Sequence, residues 1–114
     1  MIKIDTSHAN ISVIVPDSER LTAINSTQFK QDVVAHVDSG HARLVIDLTD
    51  VSFVDSAGLG ALVAVLKRIG ARGDIVVCGL NDSVRQMFQL TRMNRIFTEY
   101  RDRSAAMAAL EETF

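Results

Sequence analysis

The chain has 114 residues, 47% apolar and 23% charged, a composition that fits one folded domain with its own core and excludes a disordered segment. Acidic and basic residues are interspersed and sum to a net charge of −2, so nothing in the charge supports binding to nucleic acid or to an anionic membrane. The single cysteine excludes an internal disulfide, and the longest apolar stretch, residues 57–66, is shorter than the ~20 residues that span a bilayer.

Without a basic, then apolar, leader at its start the chain reads as a cytoplasmic protein. Residues 1–5 alternate Ile2 and Ile4 with Lys3 and Asp5, which predicts a half-exposed edge strand, and residues 6–9 read as a turn. Ile11, Val13 and Val15 alternate through residues 10–15 and make a second strand, which Pro16 ends. Residues 17–20 are a polar loop, and 21–26 approach a helix capped by Asn25 or Ser26. Phe29, Val33, Val34 and Val37 recur at helical spacing until Gly40 closes that element. Leu44, Val45, Ile46 and Leu48 suit a buried strand over residues 44–48, after which Phe53 and Val54 bring the chain back into the core.

A second helical pattern follows in Leu59, Leu62, Val63, Leu66 and Ile69, with Gly70 as its stop. Residues 72–74 turn tightly into a buried strand at 75–78, where Cys78 is a small core residue rather than a reactive thiol. Asn81 and Asp82 are caps for a third helix whose apolar face is Val84, Met87, Phe88 and Thr91. Residues 96–100 make a last short strand, and Asp102 or Ser104 starts a C-terminal helix with Met107, Leu110 and Phe114 on one side. Strand and helix patterns alternate from residue 25 onward. The expectation is a single α/β domain over residues 1–114, with a mixed, mostly parallel sheet of four to five strands and about four helices.

Ser56 stands where a strand and its loop hand over to the second helix. The first turn of a helix offers unpaired backbone N–H groups and the positive end of the helix dipole, so a hydroxyl there lies beside an anion site. Small Ala57 and Gly58 leave room for another molecule. Asp55 or Ser56 also serves simply as a helix cap, and from position alone the cap is the favoured reading. Catalysis finds little support: no Gly-x-Ser-x-Gly surrounds Ser56, and His8, His36 and His41 stand in no motif that supplies a base. His36 and His41 flank a helix end and read as solvated. Asp47, Asp50 and Asp55 are not spaced as metal ligands, no glycine-rich phosphate cradle is present, and no cofactor is expected. Met87, Phe88, Met93 and Phe97 fit core packing, and Arg85, Arg92, Arg95, Arg101 and Arg103 read as a solvated basic face.

The stretch VIDLTDVSFVDSAGLGAL, residues 45–62, closely resembles the central motif of the STAS family, the anti-sigma factor antagonists. The matching residues are Asp47, Leu48, Val51, Phe53, Asp55, Ser56, Ala57, Gly58, Leu59 and Gly60, and the likeness continues through residues 75–79 and 84–96. The resemblance implies the STAS fold and a switch controlled by phosphorylation of Ser56. It implies as partners a serine kinase that is also an anti-sigma factor, of the HATPase type, and a PP2C-type serine phosphatase that resets the switch. Unphosphorylated protein would bind the kinase through Asp55, Ser56, Ala57, Gly58, Leu59 and Thr22, and phosphorylation would block that binding. Thr22 is a departure, because family members often carry an acid there. The resemblance also admits a constitutive STAS subunit, like the partners of lipid-transporting ABC systems. A small serine hydrolase is the remaining and weakest alternative. Neither nucleic acid nor membrane insertion is expected.

Overall fold

The computed structural model describes residues 1–8 and 10–112, without the side chains of residues 7 and 8. Its main sheet has five strands in the order β1 (Ile2–His8), β2 (Ile11–Pro16), β4 (Arg43–Asp47), β6 (Asp74–Cys78), β7 (Glu99–Tyr100). Only β1 runs antiparallel to its neighbour; the other three pairings are parallel. Residues 6–8 thus extend the first strand instead of turning, because the hairpin partner beginning at Ile11 offers its backbone to them; Ala9 lies outside the described residues. The last strand is two residues long, since the chain from Met93 to Arg95 coils into a 3-10 turn and leaves Ile96 48% exposed.

Period-two alternation sends the central strands' side chains to two separate cores. Leu44, Ile46, Ile75 and Val77 face one side, and Val45, Val76 and Cys78 the other. The first side is covered by α1 (Ser26–Asp38), α2 (Ser56–Ile69) and α3 (Asp82–Leu90), which contribute Phe29, Val33, Leu62, Val65, Val84 and Phe88. Among the described residues the second is covered by α4 (Arg103–Glu111) alone, through Ala106, Met107 and Leu110. Phe114, expected on that face, lies outside the described residues. Cys78 is fully buried, and burial, aided by the Asp47 carboxylate, pushes its thiol up to about 12.

A second, two-stranded parallel sheet joins β3 (Arg20–Leu21) to β5 (Phe53–Val54). The Arg20 guanidinium also lies 4.4 Å from the centre of the Phe53 ring. Residue 20, read above as loop, is therefore strand, and the pairing fixes the two segments that lead into α1 and α2.

Candidate functional site

The two segments meet at Asp55. Its backbone N–H donates to the Leu21 carbonyl at 3.2 Å, continuing the β3–β5 ladder to the threshold of α2. One carboxylate oxygen caps the helix by accepting the Gly58 N–H at 2.9 Å, and the other accepts the Ala23 N–H at 3.1 Å. These bonds, with the Gly58 N–H foremost, hold the Asp55 carboxyl below the usual carboxylate range. Asp55 therefore stays ionised and rivets the turn before α1 to the start of α2.

That turn is self-contained. The Thr22 N–H donates to Asn25 Oδ1 at 2.9 Å, and the Thr22 hydroxyl accepts the Ile24 N–H at 3.3 Å. Asn25 occupies the N-cap position of α1, but its side chain turns back to the loop, its amide donating to the Arg20 carbonyl at 2.8 Å. A side-chain oxygen is what position 22 needs to hold this turn, and threonine supplies one without a charge. Ile24, at its tip, is 96% exposed.

Ser56 is the first residue of α2 and is exposed; Ala57 is half-buried. Gly58 and Leu59 point inward, Leu59 being 3% exposed. Gly58 is required where it stands, because a Cβ there would collide with the Leu21 carbonyl oxygen and crowd Val54. Two residues on, Gly60 differs: an added Cβ would meet nothing within 4 Å. Glycine in an exposed helix interior costs about 0.8–1 kcal/mol relative to alanine, and here an alanine would fit without a clash.

Gly60 lies between two depressions. On one side is an apolar groove of about 300 Å³ lined by Ser56, Leu59, Gly60, Val63, Thr91 and Met93. On the other a cleft of about 180 Å³ runs between α1 and α2, with Lys30 on its rim. Val63, expected in the core, lies partly exposed on the groove side. Its place is taken by Ala61 and Val65, because the buried seam of α2 passes through Gly58, Leu62, Val65 and Ile69. Met93 packs partly against the core and partly lines the groove.

His36 and His41 stand at the far end of α1, ~15 Å along that helix from Ser26 beside the site, so neither serves Ser56 as a base. Their rings stack with centres 4.1 Å apart, and His36 Nε2 lies 2.8 Å from the Ser12 hydroxyl, so His36 is half-buried and bonded rather than solvated. The basic run also divides: Arg85 pairs with Glu99 at 2.7 Å and Arg103 with Asp47 at 2.9 Å, while Arg92 and Arg95 are exposed. Among the described residues no group of histidine, cysteine and carboxylate side chains could hold a metal ion, and no helix is long and apolar enough to cross a membrane.

Residues 3–106 match the family model of the STAS domain. A Bordetella bronchiseptica protein, BtrV, named as a candidate anti-sigma factor antagonist, is 33% identical over 92 residues, 80% of this chain and 79% of that protein. The anti-sigma-B factor antagonist of Listeria monocytogenes is 31% identical over 93 residues, 81% of this chain and 78% of its own length. An anti-sigma factor antagonist from Mycobacterium paratuberculosis, solved by crystallography, superposes with a TM-score of 0.87 at 25% identity, over 97% of this chain and 93% of that one. From the first strand to α4, in sequence and in fold, this chain belongs to the STAS domain family.

Proposed function

We propose that this protein is an anti-sigma factor antagonist whose binding to a serine kinase/anti-sigma factor of the HATPase type is controlled by phosphorylation of Ser56. The observation that carries the reading is the placement of the Ser56 hydroxyl. It is exposed on the first turn of α2, beside an ionised Asp55, at the mouth of an apolar groove. The surface offered to the kinase is made of Thr22, Asp55, Ser56 and Ala57, with Leu59 forming groove wall and Gly58 setting the helix at its depth. The named roles of the Bordetella and Listeria relatives support the antagonist part of the reading.

A phosphate on Ser56 would carry about −1.5 to −2 charge at neutral pH. The positive end of the helix dipole at the start of α2 tolerates that charge on an exposed side chain, so the fold would survive modification. The complex would not. A dianion next to the Asp55 carboxylate, brought against an apolar surface, adds repulsion and desolvation cost that the unmodified hydroxyl lacks. A PP2C-type phosphatase would restore the binding form.

The test combines phosphopeptide mass spectrometry on protein from its source with calorimetric binding to the purified kinase. Phosphate is expected on Ser56, in a fraction that varies with growth condition. Ser56→Ala is expected to bind as wild type and to resist release by ATP; Ser56→Asp is expected to lose affinity by about tenfold or more. Equal binding by wild type and Ser56→Asp, with no phosphate on Ser56 under any condition, would return the residue to a structural role and favour a constitutive subunit.

A further inference from the structure

Gly60 weakens its own helix although a Cβ there would meet nothing within 4 Å, and its φ is not in the left-handed region that favours glycine. A bare stretch of helix backbone of this kind suits the close approach of a second molecule. Its surroundings say what kind of molecule. The groove beside it is apolar in Leu59, Val63 and Met93, with Thr91 spending its hydroxyl on the Met87 carbonyl at 2.7 Å. Arg92 lies in the chain between Thr91 and Met93, and Arg95 ends the same 3-10 turn. Arg85, Arg101 and Arg103 each have an ion-pair partner, whereas Arg92 and Arg95 have none among the described residues.

We propose that Gly60 and the groove between Val63 and Met93 are the seat for an apolar side chain of the kinase/anti-sigma factor, with a neighbouring carboxylate of that partner meeting Arg92 and Arg95. The inference rests on the function proposed above and adds the part of the surface that supplies affinity rather than control. A second copy of this chain fits less well. In a two-fold contact the same patch meets itself, which would set Arg92 and Arg95 against their own counterparts. The Gly60 gap also places the partner's backbone one helical turn from Ser56, close enough for a phosphate there to break the contact.

The experiment uses the full chain and the purified HATPase-type serine kinases of the source organism, with affinities by calorimetry and stability by thermal melting. Gly60→Ala should raise Tm by about 4 °C and yet weaken binding by about tenfold or more, since a methyl group suffices to close the gap. Met93→Glu, and the pair Arg92→Glu with Arg95→Glu, should weaken binding similarly, the pair also flattening its salt dependence. Wild-type affinity in Gly60→Ala and Met93→Glu, alongside lost binding in Ser56→Asp, would overturn this inference and leave the proposed function standing. Unchanged binding in Ser56→Asp, or no kinase bound by the unmodified protein, would remove both. A concentration-dependent dimer that Gly60→Ala dissociates, with kinase binding unaffected, would reassign the surface to a second copy.

Discussion

Asp55 and Gly58 bring two distant segments of chain into van der Waals contact. The carboxylate bridges residues 32 positions apart, and the glycine allows the helix to sit directly under the Leu21 carbonyl. Gly58→Ala should therefore cost about 1–3 kcal/mol, because the backbone it strikes is held by the β3–β5 pairing and cannot swing aside. The urea midpoint should fall by the corresponding amount; a midpoint equal to wild type would show that Leu21 yields. At this scale Ser56, Asp55 and the cap are legible in the sequence, since Asp-Ser-Ala-Gly after a strand is both a helix start and a family motif. The bond from Asp55 to Ala23 is not legible, because no local pattern marks a hydrogen bond between loops that only the fold brings together. Nor does any pattern in the sequence separate the glycine that the core demands from the glycine that it does not.

Among the described elements, α4 is the helix that covers the second face of the sheet. Met107 and Leu110 supply its large buried side chains, against Ile11, Val13, Val45 and Val76. Leu110→Ala should cost about 2–4 kcal/mol, the range for leucine truncation in a core, and should speed amide hydrogen exchange in α4 more than in α2. Equal acceleration throughout would mean that α4 does not open separately. The long elements are legible because their periodicities are long: four helices and the central strands stand close to where the apolar spacing puts them. The two-residue strands β3 and β5 fall below any periodicity, and the drift of the α2 seam from Val63 and Leu66 to Ala61 and Val65 reflects a helix held between a sheet and α1. The spacing of apolar residues names a helix, whereas its neighbours choose which flank is buried.

Over the whole molecule, charge ties the layers together. Arg103 on α4 reaches Asp47 at the end of β4 and Asp5 on β1, and Asp47 also takes the hydroxyl and N–H of Thr49. Burial alone would raise the Asp47 pKa, but the Thr49 bonds and the Arg103 guanidinium together hold it below its ordinary 3.8. His36 is held below 6.5 by burial and by the stacked His41. In both cases the unfolded chain takes up a proton before the folded one does, so each contribution is complete above the ordinary value and is lost as pH falls through the folded value. Stability should thus decline in two steps on acidification, the first beginning near 6.5 and the second near 3.8. His36→Gln should flatten the first in urea titrations at successive pH values, and Asp47→Asn should reduce the second; one unbroken decline in all three proteins would contradict this account.

The order of the main sheet leaves its two outermost strands with a bare row of backbone groups, the place where sheets from different molecules zip together. At one margin β7 offers two residues, too few to template a partner. At the other, β1 is seven residues long, but its pairing slips between Asp5 and His8, and Lys3 is exposed along it. An incoming strand would lose register partway along and meet a charge that it must desolvate. Neither margin of the sheet therefore gives an incoming strand a full, in-register ladder to join.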